Sequence, residues 1–404
     1  MDAARIVGAL ARYTGDLPLA EDVAQEALAA ALVSWQTEGV PRDPIGWLLP
    51  VGRRRAIDAF RRRSAADERY ALLARDLDET MGGTDILFDP DAIDDDVLAL
   101  IFTACHPVLS REAAIALTLR VVGGLTTDEI AKSFFVPVPT IQARITRAKK
   151  TLAAAHVPFE VPPDATSRAE RLGSVLSVLY LIFTEGSSAT GGSAWMRTDL
   201  ASEALRLARV LVRLMPVGEA YGLIALMEFT AARFPARLDA DGHPVLLEQQ
   251  DRSRWDRAAI VRGRAALAMA VAEGRGLGAY GLQASIAECH AVAPSVEATD
   301  WDRIVVLYEA LGRLTPSPAV ELAWAVAVAM ASGPAAGLAI VHDIAAKDAL
   351  PGSHLVPAVR AEMSARMGRR AEARADYLLA AELCANAAER EVLLEKAHAI
   401  DPAE

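Results

Sequence analysis

Apolar residues recur at spacings of three and four along nearly the whole chain. Aromatic and β-branched residues are sparse while Ala, Leu, Arg and Glu dominate, so the pattern predicts helices throughout and no strand, an all-α fold class. Leu19, Val23, Ala27 and Leu28 share one face of a helix running from Leu17 through Trp35, and Glu21, Asp22, Gln25 and Glu26 form an acidic stripe on the other side. A second helix opens at Asp43-Pro44-Ile45. It carries two arginine triplets, Arg53 to Arg55 and Arg61 to Arg63, eight positions apart and so on nearly the same face. Pro50 removes an amide from this helix and crowds the carbonyl of Gly46, so with Gly52 nearby a kink is expected. Thr126 and Glu129 have capping-box spacing, which predicts a short helix from Thr127 that cannot pass Pro137. The next helix should start near Pro139, tolerated in a first turn, and bring Ile141 and Ile145 against Ile130 and Ala131.

Beyond about Thr166 the chain becomes a series of Ala-rich helices. Pro316 to Ala346 reads helix, Ser332-Gly333-Pro334 turn, helix, and Val356 to Met367 with Arg370 to Leu383 repeats the arrangement around Gly368. Small residues at the contacts suit helical-hairpin arrays of the tetratricopeptide type, with a plain irregular bundle as the other reading. The most apolar tract, Leu322 to Val341, is interrupted by that turn, and neither piece reaches the ~20 residues a bilayer span needs. No membrane span is expected.

A length of 404 residues implies two or three packed units. Lys plus Arg number 42 against 53 Asp plus Glu, a net charge of −11, so any nucleic-acid site must be local. Charge divides the chain into a helical domain over 1–74 that ends in a basic run, an acidic linker over 75–96, a second helical domain over 97–156, and a helical extension over 166–404. The linker holds nine acids against one base, and the proline-containing stretch Val157 to Asp164 marks the last boundary with a short, stiff connection. Cys105, Cys289 and Cys384 sit far apart in apolar helical patterns, and the first residues lack a continuous apolar core; both suit a cytoplasmic location with buried thiols.

The most specific chemistry lies between Gly123 and Lys150. A short helix, a tight connection and a second helix bearing Thr140, Gln142, Arg144, Arg147, Lys149 and Lys150 on or beside its outer surface is the geometry of a DNA-reading helix-turn-helix. Arg pairs with guanine edges and Gln with adenine, while Lys149 and Lys150 suit phosphates; a solvated basic face is the bland alternative. The arginine triplets likewise favour a phosphate-bearing partner. In the last zone Asp251, Arg252, Arg254, Trp255 and Asp256, with Glu185 upstream, form a candidate pocket or a brace for an irregular connection, the brace being favoured through Arg to Asp pairs. His243 and His290 could join Glu185 or Glu248, but no close ligand pair has zinc-type spacing, so no metal site is expected.

On these residues the first 155 or so positions resemble a bacterial RNA polymerase sigma factor of the extracytoplasmic-function group. Ala20 to Glu26 is similar to that family's core-polymerase-binding helix. Trp47-Leu48 through Ala56-Ile57-Asp58 and Arg61 to Arg63 is similar to its promoter-melting and minus-10 segment, and Gly124-Leu125 to Ala131 with Arg144 and Arg147-Ala148-Lys149 to its minus-35 helix-turn-helix. Tyr180 to Gly186, Gln250 to Asp256 and Leu282 to Ala291 resemble the tetratricopeptide-like extension of one sigma subgroup.

The resemblance implies core RNA polymerase and promoter DNA as partners. It places Glu21, Asp22, Gln25 and Glu26 on the polymerase, Trp47 and Arg53, Arg54, Arg55, Arg61, Arg62 and Arg63 on the minus-10 element, and Thr140 to Lys150 on minus-35. It implies no enzymatic reaction and no cofactor. A signal protein or small ligand is a candidate partner for the extension. Arg54, where the family often has Asn, and Pro50 depart from the pattern. Two other functions stay open: a DNA-binding regulator that works without polymerase, and an enzyme or scaffold with an ancillary DNA-binding part.

Overall fold

Local capping signals place most helix ends. Asp16 stands in extended conformation and its carboxylate accepts the Leu19 amide at 3.0 Å, so a helix begins at once with Pro18 in its first turn. The computed structural model describes residues 2–64, 90–134, 136–187, 196–239, 245, 247–274, 276–384 and 386–400. Among the described residues it contains eighteen α-helices, three short 3-10 turns and an isolated bridge residue at Leu238. The chain divides into two compact units, 1–181 and 182–404.

In the first unit α1 (Asp2–Thr14), α2 (Leu17–Glu38) and α3 (Pro44–Ser64) pack together around Leu10, Val23, Ala27 and Phe60. α3 runs unbroken through Pro50. Gly52 lies directly against Leu10, where a Cβ would come within 2.8 Å of Leu10 Cδ1, so close packing on α1 supports the helix through the proline. The helix α4 (Pro90–Ala104) begins inside the acidic stretch read as a linker. Proline at a first position and acids near a helix N-terminus both favour that start. The remainder of the stretch, 75–89, lies outside the described residues.

α4 packs on α1, with Asp96 in the contact. Its side chain is only 3% exposed and receives Arg12 Nε at 3.0 Å. Burial raises the Asp96 carboxyl to about 6, against the pull of Arg12 and with the push of Asp95. A carboxyl raised above its ordinary value contributes its full stability below about 3.8 and loses it as pH rises through about 6. The Asp96→Asn variant should therefore lose less thermal stability than the parent between pH 4 and pH 7. Parallel melting curves at the two ends of that range check this, and an unchanged pH dependence contradicts it.

α5 (Arg111–Val121), capped by Ser110, leads into α6 (Thr127–Phe134) and α7 (Val138–Ala154). Cys105 beneath them is buried, which pushes its thiol up to about 12. Asp164 precedes α8 (Ala165–Ser187) and accepts the Ser167 amide at 2.8 Å, and Arg168 donates to the carbonyls of Pro162 and Pro163, while Arg171 donates to Phe102 O at 2.9 Å and lies over its ring. Arg171 holds the start of α8 to α4 and Arg168 holds it to the proline stretch, and the division between the units comes beyond that stretch, inside α8.

The second unit continues through α9 (Thr198–Leu214), α10 (Gly218–Ala231), α11 (Arg257–Ala272), α12 (Ala279–Val292) and α13 (Trp301–Leu314). It ends in α14 (Pro318–Ser332), α15 (Pro334–Ala346), α16 (Leu355–Arg366), α17 (Arg370–Leu383) and α18 (Ala387–Ala399). Consecutive helices are packing neighbours from α12 to α18. The expected turns stand where Gly333 and Gly368 adopt φ of 98° and 74°, values that favour glycine. Glu228 on α10 is 1% exposed and holds Arg209 of α9 and Arg262 of α11. Where α10 crosses α12, a Cβ on Gly222 would lie 2.6 Å from Gly281 N, a backbone atom that cannot swing away. Gly222→Ala should cost about 1–3 kcal/mol, read as a lower denaturation midpoint; an unchanged midpoint contradicts this close approach.

Candidate nucleic-acid interface

The helix-turn-helix is assembled from α5, α6 and α7. Thr126 Oγ1 accepts the Glu129 amide at 3.2 Å, and Glu129 accepts the Thr126 amide at 2.7 Å, completing the reciprocal cap. The Thr126 amide and then its hydroxyl, both donating to the Glu129 carboxylate, hold that group below its ordinary value. Pro139 sits in the first turn of α7, and Ile141, Ile145, Ala148 and Leu152 are its buried face. Gln142, Arg147 and Lys150 are exposed, and Thr140 and Arg144 are half-buried.

Lys149 departs from the expected outward face. Its ammonium pairs with Glu21 of α2 and lies 3.6 Å from Asp22 Oδ1. The helical period accounts for this, because Ile141, Ile145 and Lys149 are successive positions four apart on the inward side. Glu21 also receives Arg120 Nε at 2.7 Å, and the same guanidinium donates to Leu125 O at 3.1 Å. Glu21 is thus buried at 5% exposure and does not join a free acidic stripe. Asp22, Gln25 and Glu26 remain exposed.

On α3 the arginines divide. Arg55 pairs with Glu26 at 3.2 Å, and Arg53 lies over the Tyr13 ring at 5.4 Å. Arg54 and Arg61 are exposed, whereas the side chains of Arg62 and Arg63 lie outside the described residues. Trp47 is half-buried with its ring edge-to-face on Trp35, centroids 5.5 Å apart, so the aromatic platform is a pair.

Three features escaped the sequence reading. Arg120 is the partner of Glu21, and its position in the last turn of α5 carries no signal of that. Leu32 and Val33 are about 70% exposed on α2, placing an apolar patch beyond the acids. A cleft of about 370 Å³ runs between α2 and the start of the helix-turn-helix, lined by Glu21, Gln25, Leu28, Trp35, Arg120 and Thr126.

In the second unit Glu185 pairs with Arg197 at 2.9 Å. Asp251 accepts hydrogen bonds from the Ser253 hydroxyl and amide, which lower its carboxyl, and Asp256 caps α11 through the amides of Ala258 and Ala259. Arg252 donates to His290 O and Ala293 O, each at 2.7 Å, and lies 4.7 Å over the buried Trp255 ring. Arg254 is exposed. These bonds tie the connection to the end of α12 chiefly through backbone carbonyls, and Asp251, Arg252 and Trp255 also line a cavity of about 530 Å³. His290, held down to about 4 by burial and then by Arg233 and Arg252, packs its ring edge on Trp301. His243 lies outside the described residues, as does the side chain of Glu248.

A mostly apolar groove of about 370 Å³ opens among α13, α14, α16, α17 and α18, with Glu362 and Lys396 on its wall. Burial pushes the Glu362 carboxyl up, but hydrogen bonds from Tyr377 and Lys396 and the charges of Lys396 and Arg366 outweigh it and bring the group to about 2. Among the described residues, the three side chains that could share a metal ion are His354, Cys384 and Glu389. No helix of the described residues is long and apolar enough to cross a membrane.

Comparison with known proteins matches residues 3–66 to Sigma-70 region 2 and 99–152 to Sigma-70, region 4. Residues 171–271 match a family of unknown function, DUF6596. The chain is 43% identical over 388 residues to the uncharacterized protein R00370 of Rhizobium meliloti (strain 1021), covering 95% of this chain and 90% of that one. It is 26% identical over 155 residues to the ECF RNA polymerase sigma factor SigK of Mycobacterium ulcerans (strain Agy99), 37% of this chain and 78% of that one. No solved structure matches.

Proposed function

Because the chain belongs to the sigma factors of the extracytoplasmic-function type, with sigma-70 regions 2 and 4 followed by a DUF6596 helical region, we propose the following division of labour among its surfaces. Asp22, Gln25 and Glu26 with Leu32 and Val33 dock α2 on core polymerase. Arg54, Arg61 and the Trp35–Trp47 pair engage the minus-10 element, and Gln142, Arg144 and Arg147 read minus-35. The work is done by binding energy, with phosphate contacts positioning and base contacts specifying. The observation carrying this reading is the capped helix-turn-helix with its outward Gln and Arg side chains, in a chain that also carries region 2.

The Glu21, Arg120 and Lys149 cluster defines a closed form in which region 2 and region 4 satisfy each other's charges. Transcription requires that form to open, with basic groups of the polymerase replacing Lys149 beside Glu21. The helical extension serves as a tetratricopeptide-like regulatory module whose groove accepts a signal protein or small ligand.

Reconstitution of the full chain with core polymerase tests the reading. Transcripts should start at a restricted set of promoters sharing two elements. Tight sequence-specific DNA binding without polymerase, and no transcription with it, would favour a polymerase-independent regulator. Truncation after Ser187, which leaves α8 whole, should change the transcript level; identical transcription would remove the regulatory role of the extension.

A further inference from the structure

Two helix junctions near the C-terminal end, the start of α16 and the turn between α17 and α18, bring together an imidazole, a thiol and a carboxylate. His354 immediately precedes α16, Cys384 immediately follows α17, and Glu389 lies in the first turn of α18. His354 Nε2 and Glu389 Oε1 are 3.1 Å apart, and all three ligand atoms lie within 4.8 Å of one another. We propose that His354, Cys384 and Glu389 form a binding site for one divalent metal ion of zinc type, with water as the fourth ligand.

The donor set and its surroundings argue for this chemistry. A soft thiolate with an imidazole and a carboxylate selects zinc-like ions over the hard cations that take oxygen ligands alone. Bonds of about 2.0–2.3 Å place tetrahedral ligands roughly 3.5 Å apart. The His354 to Glu389 separation meets this already, and the thiol needs only a modest approach.

Hydrogen bonds tie down both Cys384 and Glu389. Arg390 donates to the Cys384 carbonyl at 2.8 and 3.2 Å, and Asn386 Oδ1 accepts the Glu389 amide at 3.1 Å. Such supporting bonds are what orient metal ligands. Cys384 is buried, whereas the side chains of His354 and Glu389 are 23% and 34% exposed, leaving solvent access for ion and water. Binding releases the thiol proton to solvent, and two anionic ligands then neutralise the dication, which suits a half-buried position. The Cys384 thiol donates to Asn386 O at 3.5 Å, a bond given up with the proton when metal binds, whereas Cys105 pairs with Thr118 and belongs to no such cluster among the described residues.

The full-length chain, stripped with a chelator and titrated with Co²⁺, tests the site without reference to transcription. One equivalent should bind, with a thiolate-to-cobalt absorption in the near ultraviolet and tetrahedral bands in the visible, both abolished by Zn²⁺. Cys384→Ser should lose the near-ultraviolet band. His354→Ala and Glu389→Gln should each weaken binding by about tenfold or more, with circular dichroism showing the fold retained. Zn²⁺ should raise the melting temperature of the parent and not of the variants. Absence of the near-ultraviolet band in the parent, or its persistence in Cys384→Ser, overturns the proposal. If Cys384→Ser does not fold, cobalt affinity unchanged in both other variants overturns it equally.

Discussion

Glu21→Ala is expected to destabilise the N-terminal unit by about 3 kcal/mol, the scale seen when one member of a buried ion pair is removed. The carboxylate is 6% exposed at its side chain and carries two cations, Arg120 and Lys149, themselves 16% and 17% exposed. Its loss leaves both partly buried without their main counter-charge. The measurement is equilibrium denaturation, and a change below about 0.5 kcal/mol, the range of surface substitutions, would show that the cluster does not hold the regions together. Glu21→Ala also alters the proposed polymerase face, so a second variant separates closure from docking. Lys149→Met keeps α2 intact and removes one strut. It should raise hydrogen exchange in α2 and α7 together and strengthen association with core polymerase, since less of the binding energy goes into opening. Unchanged exchange and unchanged association would refute the closed form as a brake.

Arg144→Ala is expected to cost about 1–3 kcal/mol at a single base pair of the minus-35 element, which corresponds to a loss of selectivity of roughly 5- to 150-fold there. The side chain is half-buried on α7 beside exposed Gln142, and α7 is held by the buried Ile141 and Ile145, so its direction is set by packing. Lys150→Ala should instead weaken all promoters alike, as a phosphate contact does. Lys149 is the poorer probe of phosphate contact, because its replacement also releases Glu21. Promoter-library transcription with each variant reads the difference. If Arg144→Ala leaves selectivity unchanged with the fold intact, base reading by this residue is wrong.

Much of this was visible in the residues themselves, because the responsible forces act over one helical turn. The Thr126 and Glu129 cap, the proline at the start of α7, and the glycines that end α14 and α16 each satisfy or free backbone groups within a few positions. The inward face of Lys149 was also available from its spacing to Ile141 and Ile145.

What local pattern determined, then, was helices, their ends and the two motif-bearing regions. Charge pairing across the fold was decided only in three dimensions. Arg120 meets Glu21 across 99 positions, and Arg55 meets Glu26 across 29. His354, Cys384 and Glu389 converge because α16, α17 and α18 stack in turn. A charged or metal-ligating side chain shows its chemistry in the sequence but not its partner, because long-range pairing follows from how apolar faces pack, and many sequence positions present the same charge.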